Sequence, residues 1–158
     1  MRVTILAVGR LRAGPERELI DDYTARAAAS GKALRLGSLT EREVETPGGA
    51  DAESDKVMSQ IPKGALCVLL DEHGEQVRTR VLAERIGKWR DSGQRDLLFL
   101  IGGADGHGAA IRQAAEDGRW PKIAFGVQTW PHRLVRVMLA EQIYRAFSIL
   151  AGSPYHRD

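Results

Sequence analysis

Residues 97–108 read LLFLIGGADGHG, five apolar residues that run straight into four glycines spread over seven positions. The apolar half has no polar alternation, which is how a strand covered on both faces reads. Glycine at the end of such a strand lets a ligand approach the backbone, because no Cβ stands in the way. A dinucleotide-binding turn would read GxGxxG and follow the first strand of the chain. These glycines stand at 102, 103, 106 and 108, two-thirds of the way along 158 residues, and do not match it. The stretch therefore predicts a central strand of an α/β sheet with a ligand-facing turn, and leaves the ligand open.

Apolar runs at 3–8, 33–38, 65–70 and 123–125 have the same character, so five strands are expected in all. Between them lie helical patterns at 15–29, 51–60, 79–89 and 109–116, with Pro15 suited to a first turn. Strand alternating with helix predicts one α/β domain over residues 1–158 with a mostly parallel sheet. The segment 40–50, TEREVETPGGA, is polar and ends in Pro-Gly-Gly, and reads as a surface loop. From Pro131 a last helix carries apolar residues at 135, 139, 143, 147 and 150, with Leu134 and Met138 beside them. That surface is wider than one small sheet needs, so the helix is either the central core helix or a face for a second subunit.

Composition narrows the class. Hydrophobic residues make up 43% and charged residues 28%, as in ordinary globular domains. The start, MRVTILAVGRLR, has too short an apolar run for a secretion signal, and no window reaches the ~20 residues of a membrane span. The single cysteine, Cys67, has no partner in its own chain. The expectation is a protein of the reducing cytoplasm with no membrane partner. The formal charge of +2 is uneven: from Arg119 onward six basic residues face two acidic ones. Such a basic end points to a polyanionic partner or is simply a solvated helix face.

Ligands of open α/β sheets bind beyond the carboxyl ends of the strands. Three ends stand out: 69–72 (LLDE), 102–106 (GGADG) and 125–130 (FGVQTW), which adjacent parallel strands would bring into one cleft. No Walker loop and no GxSxG elbow is present, and the scattered histidines 73, 107, 132 and 156 predict no metal site. With backbone groups and few acids, the cleft suits an uncharged or cationic small molecule better than a triphosphate. His107 reads first as a loop residue. His132 falls at a helix N-terminus beside Arg133, where capping or packing is its plain role and its cationic form is disfavoured. The ending Pro154-Tyr155-His156-Arg157-Asp158 is either a frayed terminus or, with an aromatic ring and two cationic groups, a stacking and phosphate-contacting tail.

Taken together, VTILAVGRL, VLLDEHG, LLFLIGGADG, TWPHRLVRVMLAEQIYRAFSI and PYHRD resemble the RlmH family of the SPOUT methyltransferase superfamily along the whole chain. The combination of LIGG, PHxLVRVxLAEQxYRA and a terminal PYHR is highly specific. The resemblance implies a trefoil-knotted α/β fold, a mostly parallel sheet flanked by helices, and a homodimer. It implies S-adenosyl-L-methionine-dependent methylation of N3 of a pseudouridine in helix 69 of 23S rRNA, on the assembled ribosome. Matched positions make Leu70, Gly102, Phe125, Gly126, Val127, Gln128, Thr129 and Trp130 the cofactor contacts. They place Tyr155, His156 and Arg157 at the partner subunit's pocket. GGADG and Trp130 depart from the family's commoner residues, which bears on pocket shape. The acceptor imide is protonated at neutral pH, so its anion must be stabilised or its proton removed. Arg157 and Arg136 are candidates for the first task, His132 and His156 for the second. The alternatives are a non-catalytic ribosome-associated factor with the same fold, or an enzyme acting on free nucleotides.

Overall fold

A computed structural model describes residues 1–156. Five strands form one sheet: β1 (Arg2–Val8), β2 (Leu39–Val44), β3 (Leu66–Gln76), β4 (Asp96–Ile101) and β5 (Lys122–Ala124), in the order β2-β1-β4-β3-β5. Every pairing is parallel. The helices are α1 (Pro15–Gly31), α2 (Gly49–Met58), α3 (Thr79–Asp91), α4 (Ala109–Glu116) and α5 (His132–Leu150). The expected parallel sheet with flanking helices is thus the one the chain adopts.

The continuous apolar runs are explained by a core on each face. In β1, Val3, Ile5 and Ala7 enter one core while Leu6 and Val8 enter the other. In β4, Leu97, Phe99 and Ile101 point one way, Leu98 and Leu100 the other. Side chains alternate along a strand, so burial of both faces requires apolar residues at every position. Helices α1 and α3 pack on α5 over the first core, and α2 packs with α4 over the second.

Two expectations about the second strand fail together. Residues 33–38 are not a strand: a 3₁₀ turn spans Lys32–Leu34, and Arg35 follows with φ 55°. The strand lies instead at Leu39–Val44, inside the stretch expected to be a loop. β2 is an edge strand in which only Leu39 and Val44 are buried, and edges are where charged residues are tolerated. Its acids are held from inside: Arg17 pairs with Glu41, and Arg136 of α5 pairs with Glu43 at 3.0 Å and Glu41 at 3.4 Å.

β3 also runs further than expected, because its polar second half bends over β5. Ile123 is in register with both Leu70 and Glu75, so β5 is lodged in the bend. The contact is close enough that a Cβ on Gly74 would lie 2.5–2.8 Å from the backbone of Ile123. Only glycine fits there without displacing one strand.

Candidate active site

The carboxyl ends of β4, β3 and β5 are adjacent, and the loops that leave them enclose a cavity of about 570 Å³. That is within the size range of small-molecule sites. Its wall includes Leu70 at the bend within β3, Gly102 after β4, and Phe125, Gly126, Gln128, Thr129 and Trp130 after β5. Val127 is the exception among the expected contacts: it is 78% exposed and does not line the cavity. His132, from the first turn of α5, does line it.

Local chemistry explains how these loops hold their shape. A Cβ on Gly102 would meet the Gly106 carbonyl at 2.6 Å, so the turn can fold back on the strand end only with glycine there. The His107 ring is buried, and its Nε2–H donates to the Leu70 carbonyl at 3.1 Å. This bond ties the glycine turn to the bend within β3, and burial keeps the imidazole pKa below its ordinary value. His107, expected as a plain loop residue, is therefore a buried strut. The next turn is capped from α2: Gly108 N–H donates to Ser54 Oγ at 2.6 Å, and Ala109 N–H to Asp51 Oδ1 at 2.8 Å. In the third loop Trp130 Nε1 donates to the Phe125 carbonyl and Thr129 Oγ1 to Glu72, both at 3.0 Å.

The cavity is richer in acid than expected, since Asp71, Glu72 and Asp105 line it beside Arg112. The expectation looked at isolated loop ends, whereas the bend of β3 carries Asp71 and Glu72 over the opening. The floor is apolar, from Leu70, Ile101, Ile123 and Val135. An apolar floor under a carboxylate rim suits a ligand with one flat uncharged part and one cationic part.

Sequence reasoning missed one carboxylate. Glu53, on α2, reaches over the glycine turn, with its Oε2 2.7 Å from where a Cβ on Gly103 would stand. It acts electrostatically on His132. Burial lowers the His132 pKa, Arg136 and Arg133 lower it further, and Glu53 opposes them. The net effect is an imidazole at the cavity wall whose pKa lies below its ordinary value. Nothing in the sequence separates Glu53 from Asp51 and Asp55 around it; only the crossing of α2 over the turn does.

The remaining expected residues lie elsewhere. Arg136 is 1% exposed, and its Nη2 donates to the carbonyls of Val8 at 2.6 Å and Gly9 at 2.5 Å. With Glu41 and Glu43 on Nη1, this guanidinium braces α5 against the ends of β1 and β2 and does not line the cavity. Tyr155 lies on its own α5, its hydroxyl 3.1 Å from Glu141, its ring 4.5 Å from that of Tyr144 and 4.7 Å from the Arg145 guanidinium. Burial and the Glu141 carboxylate push its phenol up to about 12. His156 is half-buried beyond it, and neither residue lines this chain's own cavity. Arg157 lies outside the described residues.

A family model described as "Predicted SPOUT methyltransferase" matches residues 1–156. The chain is 53% identical over 157 residues to "Ribosomal RNA large subunit methyltransferase H" of Hyphomonas neptunium, covering 99% of each chain. It is 49% identical to the protein of the same name from Caulobacter vibrioides, over 100% of this chain and 99% of that one. The chain belongs to this SPOUT methyltransferase family. The parallel five-stranded sheet with flanking helices is therefore a SPOUT fold, as expected. Among solved structures, a ribosomal RNA small subunit methyltransferase E from Neisseria gonorrhoeae, bound to S-adenosyl methionine, is similar over 95% of this chain. That likeness covers 66% of the longer neighbour at 9% identity, with a TM-score of 0.48. Among the described residues no cluster of three or more His, Cys, Asp or Glu could hold a metal. No described helix is long and apolar enough to cross a membrane.

Proposed function

We propose that this chain is an S-adenosyl-L-methionine-dependent methyltransferase of large-subunit ribosomal RNA, and that it methylates N3 of a pseudouridine in helix 69 on the assembled ribosome as a homodimer. The observation that carries this reading is the cavity at the ends of β3, β4 and β5 in a chain matched end to end by the SPOUT family. The residues fit the group. The apolar floor of Leu70 and Ile123 would take the adenine, and Asp71, Glu72 and Asp105 would sit near the cationic end. Gly102 and the run Phe125, Gly126, Gln128, Thr129 and Trp130 would hold it through loop backbone, with Val127 at the rim.

The bound group supplies a methyl on a sulfonium, already a strong electrophile. Positioning is then a large part of what the protein contributes, and good orientation is worth roughly 7–11 kcal/mol. His132, neutral and on the cavity wall, takes the N3 proton at its imidazole. Glu53, over the glycine turn, acts on that imidazole through its charge and would stabilise the cation that forms. Arg136 has its guanidinium committed to Glu41, Glu43 and two carbonyls, so its part is to hold α5 and thereby His132. Stabilising the acceptor anion falls to Arg157, in the PYHR tail with Tyr155 and His156.

The tail serves the partner's cavity. Tyr155 is anchored at Glu141, nine residues along α5 from His132, or about 14 Å at the helical rise. An exposed apolar set, Leu19, Leu134, Val127 and Trp130, is available for the second copy. The test is nucleoside mass spectrometry of ribosomal RNA from cells lacking the protein. The expected result is loss of one methyl from one pseudouridine and its return on complementation. Unchanged nucleosides would overturn the reading. Calorimetric titration with S-adenosylmethionine separates it from a non-catalytic factor, which would release no heat.

A further inference from the structure

At the end of the sheet opposite the cavity, the amino-terminal ends of β1 and β4 open onto a second, shallow groove of about 600 Å³. Five residues of strand separate Arg2 from Ala7 in the β1–β4 register, so the two openings stand about 17 Å apart along the strands. The groove is lined by Arg2, Arg35, Arg90 and Arg95, the amino-terminal Met1, and a single acid, Asp91. Two of the arginines are balanced: Arg2 pairs with Asp96 at 2.6 Å, and Arg90 with Asp91 at 2.8 Å. Arg35 and Arg95 are exposed and carry no ion pair among the described residues.

Arg35 has a further peculiarity. It is the one non-glycine residue with positive φ among the described residues, at 55°. Glycine or asparagine takes that conformation at less cost than arginine. Its carbonyl accepts a hydrogen bond from the Met1 ammonium at 2.9 Å, which fixes the turn and the chain terminus together. The left-handed residue closes the 3₁₀ turn, its N–H bonded to the Lys32 carbonyl, and so fixes where the Arg35 side chain leaves the backbone at the groove. The groove also lies outside the basic carboxyl-terminal quarter that the sequence singled out.

We propose that this groove is a phosphodiester-binding site that grips the RNA backbone at a point remote from the base in the cavity. The inference rests on the reading of the chain as an RNA methyltransferase. Two unpaired guanidiniums flanked by two paired ones offer planar donors to successive phosphates and give no base-specific contact. Contacts of this kind set the register of a large RNA substrate, and they register as salt-dependent affinity.

The test uses the full chain and purified ribosomal particles lacking the modification. The variant Arg35→Gly with Arg95→Gln removes both free cations, and glycine keeps the left-handed turn without strain. Affinity for the particles is measured from about 50 to 200 mM salt for both proteins. The expected result is a plot of log affinity against log salt that is shallower by about 2 for the double variant, because two phosphate contacts are lost. Affinity for S-adenosylmethionine and turnover at saturating particles should be unchanged. Arg95→Lys, which keeps the charge, should keep the wild-type slope. A double variant with the wild-type slope overturns the groove while leaving the methyltransferase reading intact. Wild-type protein that neither binds nor methylates the particles overturns both.

Discussion

His132 and Glu53 make the chemistry testable one atom at a time. The His132 pKa is lowered mainly by burial, which favours the neutral ring that the proposed base needs. Turnover should therefore be constant above its lowered pKa and fall as pH drops through it, because only the neutral ring is a base. Glu53 raises that pKa against the other groups, so Glu53→Gln should move the acid limb to still lower pH and reduce the plateau. His132→Ala should reduce turnover by roughly 10²–10⁴-fold, the usual worth of a placed general base, with the S-adenosylmethionine dissociation constant unchanged. Single-turnover rates against pH, beside calorimetry of cofactor binding, check this. A profile that does not respond to Glu53→Gln would remove the carboxylate from the proton path.

His107 also carries a prediction, this one about stability. Its pKa is lowered in the folded chain because burial strips the ring of the water its charged form needs, an effect that the hydrogen bond to the Leu70 carbonyl opposes but does not cancel. A depressed folded value means that the unfolded chain binds the proton more readily. The stability contribution is therefore complete above the ordinary value of 6.5 and is lost as pH falls below it. Urea unfolding at pH 7.5 and 5.5 should show a drop that His107→Gln lacks, since the amide keeps a donor but does not titrate.

At the scale of elements, Arg136 shows how far a sequence pattern can mislead. A basic residue one turn from a cavity-facing histidine invites a catalytic role, yet its guanidinium is sealed between α5 and the ends of β1 and β2. Removing one side of a buried ion pair leaves the other charges uncompensated. Arg136→Ala should thus cost about 3–5 kcal/mol of folding stability. Denaturant midpoints measure it, and a variant that folds as well as wild type but is inactive would return Arg136 to the chemistry.

The same region marks the limit of legibility. β1, β3, β4 and β5 were readable because burial on both faces forces continuous apolar runs, and α4 was placed to the residue. β2 was not, since its acids answer to Arg136, 93 and 95 positions away in sequence, and its edge position tolerates charge. The polar extension of β3 escaped for a related reason: Asp71-Glu72-His73 reads as a loop until β5 is seen lodged beneath it. The site's glycines and third loop were legible because local chain chemistry dictates them. Glu53 was not, because it enters from another element across the turn.

For the molecule as a whole, the decisive question is where the tail acts. Tyr155 is fastened to Glu141 and Arg145 of its own α5, well along the helix from its own cavity, which makes cross-protomer supply the economical geometry. If each active site combines one protomer's cavity with its partner's tail, two different defects should complement. A His132→Ala protomer has a good tail and a dead cavity; a chain truncated after Pro154 has the reverse. Each homodimer should be inactive. Mixed in equal amounts and allowed to exchange, half the dimers become heterodimers with one complete site each, so about a quarter of wild-type activity should return. Methyl transfer to ribosomal particles measures the recovery, and its dependence on exchange time separates it from residual activity. A mixture as inactive as its components would mean that the tail serves its own chain, and the anchoring of Tyr155 on α5 would then be a resting position from which Tyr155 must move some 14 Å.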